Sequence, residues 1–207
     1  MSHRPGKWAV LAGLFVALVL VDQATKFLAV DRLTTAFERN GDVTLVQKVR
    51  GFYGYRHLET TATAPYTVWA PMWRMTYVEN PGAAWGLFRG LSERTRNGFF
   101  TAISLVAVVL ILGYYRKLRD EQRYYQVALS MLLAGAVGNF IDRLARRYVI
   151  DFIDWYAGNW HWPTFNVADS LIVVGVALLV LRPGSGKARP ALAQAEEGRR
   201  AARGGGA

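Results

Sequence analysis

Cysteine is absent from this chain of 207 residues. That excludes a thiol nucleophile, a disulfide framework and a thiolate-based metal site. Histidine is nearly absent: His3, His57 and His161 are scattered, without the spacing a zinc site needs. No Ser–His arrangement stands out, no glycine-rich phosphate loop and no internal repeat. Neither a metal nor a cofactor is expected.

What the chain does have is apolar mass. It is 52% hydrophobic, with seven Trp and ten Tyr, which is not the make-up of an ordinary soluble domain. Its net charge of +10 would suit a nucleic-acid binder. The basic residues, however, lie beside apolar runs and in the C-terminal tail. Anchoring at a membrane surface is therefore the reading adopted, with membrane lipid as a partner and nucleic acid not.

Four apolar segments stand out, over about 8–30, 98–115, 125–150 and 167–181. A span needs roughly 20 residues, with about 17 as the lower limit, so the fourth qualifies only if its polar first turn is partly immersed. The first follows Arg4 and Lys7 but is not trailed by a small-residue cleavage site. It reads as an uncleaved anchor. Lys and Arg in the short flanks set the topology. Arg4 and Lys7, then Arg116, Lys117, Arg119 and Arg123, then the basic residues after 181 all fall on one side of a four-span chain. Both termini are expected to be cytoplasmic, with the 31–97 connection and residues 142–166 outside. Residues 66–88, rich in aromatics, predict a small β-sheet lying on the membrane. The stretch 37–70 carries no decisive pattern up to the start of that sheet. Residues 183–207 read as a disordered basic tail. The fold class is thus an α-helical membrane protein, one domain over 1–182, with four transmembrane helices and a small sheet and loops on the extracytoplasmic face.

On this topology the polar residues converge on the outer face. Acids at a membrane boundary are costly unless satisfied, so each is a functional candidate. Asp22 and Lys26, spaced i, i+4, form either a self-satisfied pair or a contact with the site. Gly135, Gly138 and Asn139 fit close helix contact with an amide inside the bundle. Asp142 reads as a cap or anchor at the end of the third span, and Arg143 as a group for a lipid phosphate. Asn166 opens the last apolar run, as an N-cap or a site amide, and Asp169 follows one turn in. Asp151 sits in Val-Ile-Asp-Phe, with Asp154 as a competitor for the acid role. Glu79-Asn80-Pro81-Gly82 is a turn whose small residues let backbone approach a ligand. Two carboxylates brought together point to acid–base chemistry.

Five motifs in order carry a specific likeness: Asp22-Gln23-Ala24-Thr25-Lys26, Asn80-Pro81-Gly82-Ala83-Ala84-Trp85, Gly138-Asn139-Phe140-Ile141-Asp142-Arg143, Val149-Ile150-Asp151-Phe152 and Phe165-Asn166-Val167-Ala168-Asp169-Ser170. With them the chain resembles the lipoprotein signal peptidases, or type II signal peptidases, the membrane aspartic peptidases of bacteria. The likeness covers most of residues 8–182. It implies Asp151 and Asp169 as the catalytic pair. It implies binding or supporting roles for Asn80, Gly82, Asn139, Arg143, Asn166, Asp22 and Lys26. It also implies cleavage of a prolipoprotein just before a diacylglyceryl-modified Cys, in the bacterial inner membrane, by a protein that need be no more than a monomer. The chain departs from the family in a longer outer connection before Tyr77 and in Trp85, where Phe is common. Two rivals predict other features. A proton-relaying transporter needs polar access from both sides, and a presenilin-type peptidase needs both acids at mid-helix.

Overall fold

The structure is a computed structural model and describes residues 5–82 and 90–181. Helix α1 (Lys7–Leu33) is followed by the short α2 (Ala36–Arg39), then α3 (Leu45–Gly54) and a 3₁₀ turn at Leu58–Thr61. Strands β1 (Tyr66–Trp69) and β2 (Trp73–Asn80) precede α4 (Glu93–Arg116) and α5 (Arg123–Arg146). Strands β3 (Val149–Ala157) and β4 (Trp160–His161) and helix α6 (Val167–Val180) complete the described chain.

Local chemistry sets these boundaries. Ser92 caps α4 by accepting a hydrogen bond from the Thr95 N–H at 3.1 Å, and Glu93 stands in the first turn. Thr44 and Gln47 close a capping box on α3, as Asn166 and Asp169 do on α6. Helix α5 stops where Arg147 turns left-handed, at φ +70°.

Three of the helices, α1, α4 and α5, are long and apolar enough to cross a membrane. The expected first and second spans are longer than 8–30 and 98–115, reaching 7–33 and 93–116. The expected third span needs correction. Residues 149 and 150 are not helical but open β3, whose Val-Ile-Asp-Phe-Ile run favours a pleated, half-buried surface. The fourth apolar helix, α6, has only 14 residues, so the expected count of four full-length spans is not reproduced by length alone.

The expected sheet is present and extends further along the chain than residues 66–88. It is antiparallel throughout, in the order β1-β2-β3-β4. Half of it therefore comes from the segment after α5, and β2 holds Asn80 opposite Val149 and Val78 opposite Asp151. The expected tail at 183–207, together with Ala83, Ala84, Trp85 and Phe88, lies outside the described residues.

The chain packs in two apolar clusters. One joins Ala29, Val30 and Leu33 of α1 to Phe37, Phe52, Leu58 and the sheet residues Tyr77, Ile150 and Phe152. The other gathers Leu11, Tyr115, Leu118, Leu129 and Leu133 at the far end. Between them lies a buried polar layer of Asp22, Lys26, Asn139, Asp142 and Asn166. Glycines let the helices close around it. A Cβ on Gly138 would stand 2.4 Å from Asp22 Oδ2, and one on Gly135 2.4 Å from the Ala168 carbonyl oxygen.

Candidate active site

Strand β3 delivers Asp151 into the polar layer, where only 1% of it is exposed. Its Oδ1 accepts from Asn166 Nδ2 at 2.6 Å and its Oδ2 from Asn80 Nδ2 at 2.8 Å. Asp169 stands on the first turn of α6 and is only partly buried. Its Oδ1 accepts from Asn139 Nδ2 at 2.8 Å and its Oδ2 from the Asn166 backbone N–H at 3.2 Å. The Asp169 N–H in turn donates to Asn166 Oδ1 at 3.0 Å. Asn166 therefore touches both carboxylates: it is an N-cap and a bridge, and the two sequence readings of it are not exclusive. Burial, and then the neighbouring Asp169 charge, push the Asp151 carboxyl up to about 7, against the pull of the Asn80 and Asn166 hydrogen bonds.

Asp22 and Lys26 hold this arrangement from beneath. Lys26 Nζ lies 2.9 Å from Asp22 Oδ2, 2.9 Å from Asp142 Oδ2 and 3.1 Å from Asn139 Oδ1. Asp22 Oδ1 accepts the Ala168 N–H at 2.9 Å, satisfying one of the free donors at the start of α6. The pair is thus not self-contained. Lys26 orients the amide that meets Asp169, and Asp22 fixes the helix end that carries Asp169.

Asp142 departs from the reading given to it. It is not a helix-end anchor but a fully buried acid, paired with Lys26 and, at 2.8 Å, with Arg146 Nη1. Arg143 lies partly buried with its guanidinium 5.4 Å from the Phe100 ring, and its Nη1 donates to the Asn139 carbonyl at 3.3 Å. Gly82 has φ +89°, and its N–H donates to Asn80 Oδ1 at 2.9 Å, so the turn orients the amide that holds Asp151. Only glycine enters that left-handed region without strain.

Asp154 leaves the contest. Three positions from Asp151 on a strand, it faces the other way, and it is held by Arg74 Nε at 2.6 Å and His161 Nδ1 at 2.9 Å. A cavity of about 650 Å³ also lies off the site. Phe152 lines it together with Leu28, Leu33, Val68 and Met75, and Phe152 alternates with Asp151 along β3. Among the described residues no three His, Asp or Glu side chains gather as a metal ion would require.

Sequence reasoning passed over Gln23, whose Nε2 donates to Asp22 Oδ2 at 3.0 Å. It marked Arg146, on the outer side with Arg143 and Arg147, as an exception to the topology rule but gave it no role; Arg146 is fully buried and donates through Nε to the Phe52 carbonyl at 2.8 Å. The i, i+4 spacing of Asp142 and Arg146, acid first, was a usable signal.

Set beside known proteins, residues 14–183 match the family model for signal peptidase (SPase) II. A lipoprotein signal peptidase of Anaeromyxobacter sp. (strain Fw109-5) is 67% identical, covering 99% of each chain. One from Thermodesulfovibrio yellowstonii is 38% identical over 80% of this chain and 88% of its own. A solved structure of a bacterial membrane enzyme, determined by the in meso method, superposes with a TM-score of 0.66 at 26% identity, covering 90% of this chain and all of its own.

Proposed function

The chain belongs to the signal peptidase II family, and from that premise we propose that it is a membrane aspartic endopeptidase. On this reading it removes signal peptides from prolipoproteins by cutting just before the diacylglyceryl-modified Cys. Asp151 and Asp169 are the catalytic pair. The observation that carries the assignment is the bridging Asn166, which donates to Asp151 through its side chain and to Asp169 through its backbone N–H, and among the described residues to no other acid.

Two carboxylates joined in this way cannot both ionise cheaply, and so they share a proton. The charged member takes a proton from water as the water oxygen attacks the scissile carbonyl carbon. The protonated member gives its proton to the carbonyl oxygen. Collapse of the tetrahedral diol returns a proton to the leaving amine, breaks the C–N bond and resets the pair. Neither step is tied to one acid, because the proton belongs to both. Asn80 and Asn166 hold Asp151, Asn139 holds Asp169, and Arg143 and Gly82 line the approach for peptide backbone or headgroup. The acyl tails remain in the bilayer, so the lipid anchor itself delivers the bond to the acids.

Depth supports four spans with the start of α1 and the end of α6 on one side, which the flanking Lys and Arg make the cytoplasmic one. Lys7 donates to the Arg116 and Leu118 carbonyls, marking the level of the α4–α5 link. Asp22 stands fifteen positions further on, about 22 Å along an α-helix. Helix α6 starts at that level, against Asp22, and its 14 residues cover about 21 Å. Tyr124, at the start of α5, donates to the Leu178 carbonyl near the end of α6, which returns α6 to the same side. Helix α6 is short because it begins recessed, below the face of a hydrocarbon layer about 30 Å thick.

The test is cleavage of a prolipoprotein, with and without its diacylglyceryl group, by membranes carrying the wild type, Asp151→Asn or Asp169→Asn. The expectation is that only the lipidated substrate is cut, and that each Asn variant loses about 10²–10⁴-fold in rate while still folding. Full activity in either variant removes that acid from the pair.

A further inference from the structure

The insert between α1 and the sheet carries a feature that the chemistry does not use. Helix α3 descends along α1, meeting it at successive turns. Lys48 Nζ bonds Asp31 Oδ1 at 2.5 Å, Phe52 packs edge-on against Phe27 with ring centroids 5.5 Å apart, and Tyr53 OH donates to Gln23 Oε1 at 3.3 Å. Measured along α1 from Lys7, Asp31 is about 36 Å up and Gln23 about 24 Å. A hydrocarbon layer is about 30 Å thick. The lower end of α3 therefore lies below the membrane surface and its upper end at headgroup level.

The face that α3 turns away from the protein is mostly apolar, with Gln47 and Arg50 its polar members. Leu45 is 68% exposed and Val46 62%, Val49 and Tyr53 are also exposed, and Val43 just ahead of the helix is 83% exposed. In water this stripe would be a liability. Here its lower end comes to the depth of Leu28, which α1 also exposes. The exposed Arg50 has a long stem that can carry its charge back to lipid phosphates. On its inner side α3 covers a charge. The Phe52 ring lies 3.9 Å from the Arg146 guanidinium, and the Phe52 carbonyl accepts from Arg146 Nε.

We infer that α3 is a re-entrant helix whose lower end dips into the leaflet on the sheet side, with Tyr53 reaching the acyl chains, Val49 and Val46 stepping up from them through the headgroup boundary, and Phe52 sealing the Arg146–Asp142–Lys26 network. The inference rests on the membrane placement of α1 and not on the peptidase reading.

Because the chain lacks cysteine, single Cys substitutions at Val43, Val46 and Val49 can each carry one environment-sensitive fluorophore. The labelled full-length protein would be placed in vesicles of phosphatidylcholine and phosphatidylglycerol, with Thr63→Cys as the aqueous reference. Lipids brominated along the acyl chain should quench the labels in the order Val49, Val46, Val43, with iodide effective in the reverse order. Iodide quenching of Val46 and Val49 equal to that at Thr63 would place α3 in water and overturn the inference. Protection from both quenchers would place a protein partner there and overturn it equally.

Discussion

Replacing Asn166 with Ala removes two separable things. The first is the side-chain cap on α6, where Asn166 Oδ1 accepts the Asp169 N–H at 3.0 Å; loss of such a cap costs about 1 kcal/mol. The second is the donation to Asp151 at 2.6 Å, and a hydrogen bond to a charged group contributes about 1.5–3 kcal/mol. Asp151 keeps its bond from Asn80, so the loss does not leave it unpartnered. Together the two terms come to about 3 kcal/mol, which for a chain of this size lowers Tm by about 6–12 °C. Asn166→Ser separates them, since a serine hydroxyl caps the helix but is too short to reach Asp151, while the backbone N–H to Asp169 remains. We expect Ser to recover the cap's share of the Tm shift, measured in detergent, and none of the activity. Both variants should fall below about 1% of wild-type kcat, as expected for a displaced acid–base pair. An Ala variant with near-normal turnover, or a Ser variant that regains activity in step with Tm, would refute the bridging role.

Two further outcomes follow from the same geometry. The Asp151 carboxyl is raised from its ordinary 3.8 to about 7, so its stabilising contribution is complete below 3.8 and is lost as pH rises through about 7. Tm should therefore fall across that window, Asp151→Asn should flatten the fall, and the basic limb of kcat/KM should lie near 7. Removing the Asn80 donation, in Asn80→Ala, should move that limb upward. Gly138→Ala would put a methyl 2.4 Å from Asp22 Oδ2 and 3.3 Å from Ala168 Cβ. That overpacking costs about 1–3 kcal/mol, visible as a lower Tm, and it disturbs the helix end that carries Asp169, visible as a lower kcat.

How much of this could be read in advance depends on the range of the interactions. The helices announce themselves through long apolar runs, and Asp169 and Asn166 through a cap signal at the start of one. Asp151 was found by its surroundings, but the residues just ahead of it were read as helix: the third span was carried past Asp142, Arg143, Arg146 and Arg147 into Val149-Ile150. Only pairing with a strand about 70 residues earlier decides that these residues extend. Asp142 was misread because its partner Lys26 comes from another helix, whose packing no local pattern shows, and the i, i+4 signal to Arg146 on its own helix went unused. Helix α3 stayed illegible for a different reason. It has ten residues, and its apolar stripe faces outward, so a rule that turns such stripes toward a core misplaces it.

The polar layer draws on α1, β2, α5, β3 and α6, and its last contributors, Asn166 and Asp169, lie near the end of the described chain. Synthesis runs from the N-terminus, so every other part of the site reaches the membrane before these two. A nascent chain stalled ahead of Asn166 has Asp151 but neither its bridge nor its partner acid. On the proposed reading, hydrolytic competence switches on with insertion of the final helix, and a cell never carries a half-built protease that can cut.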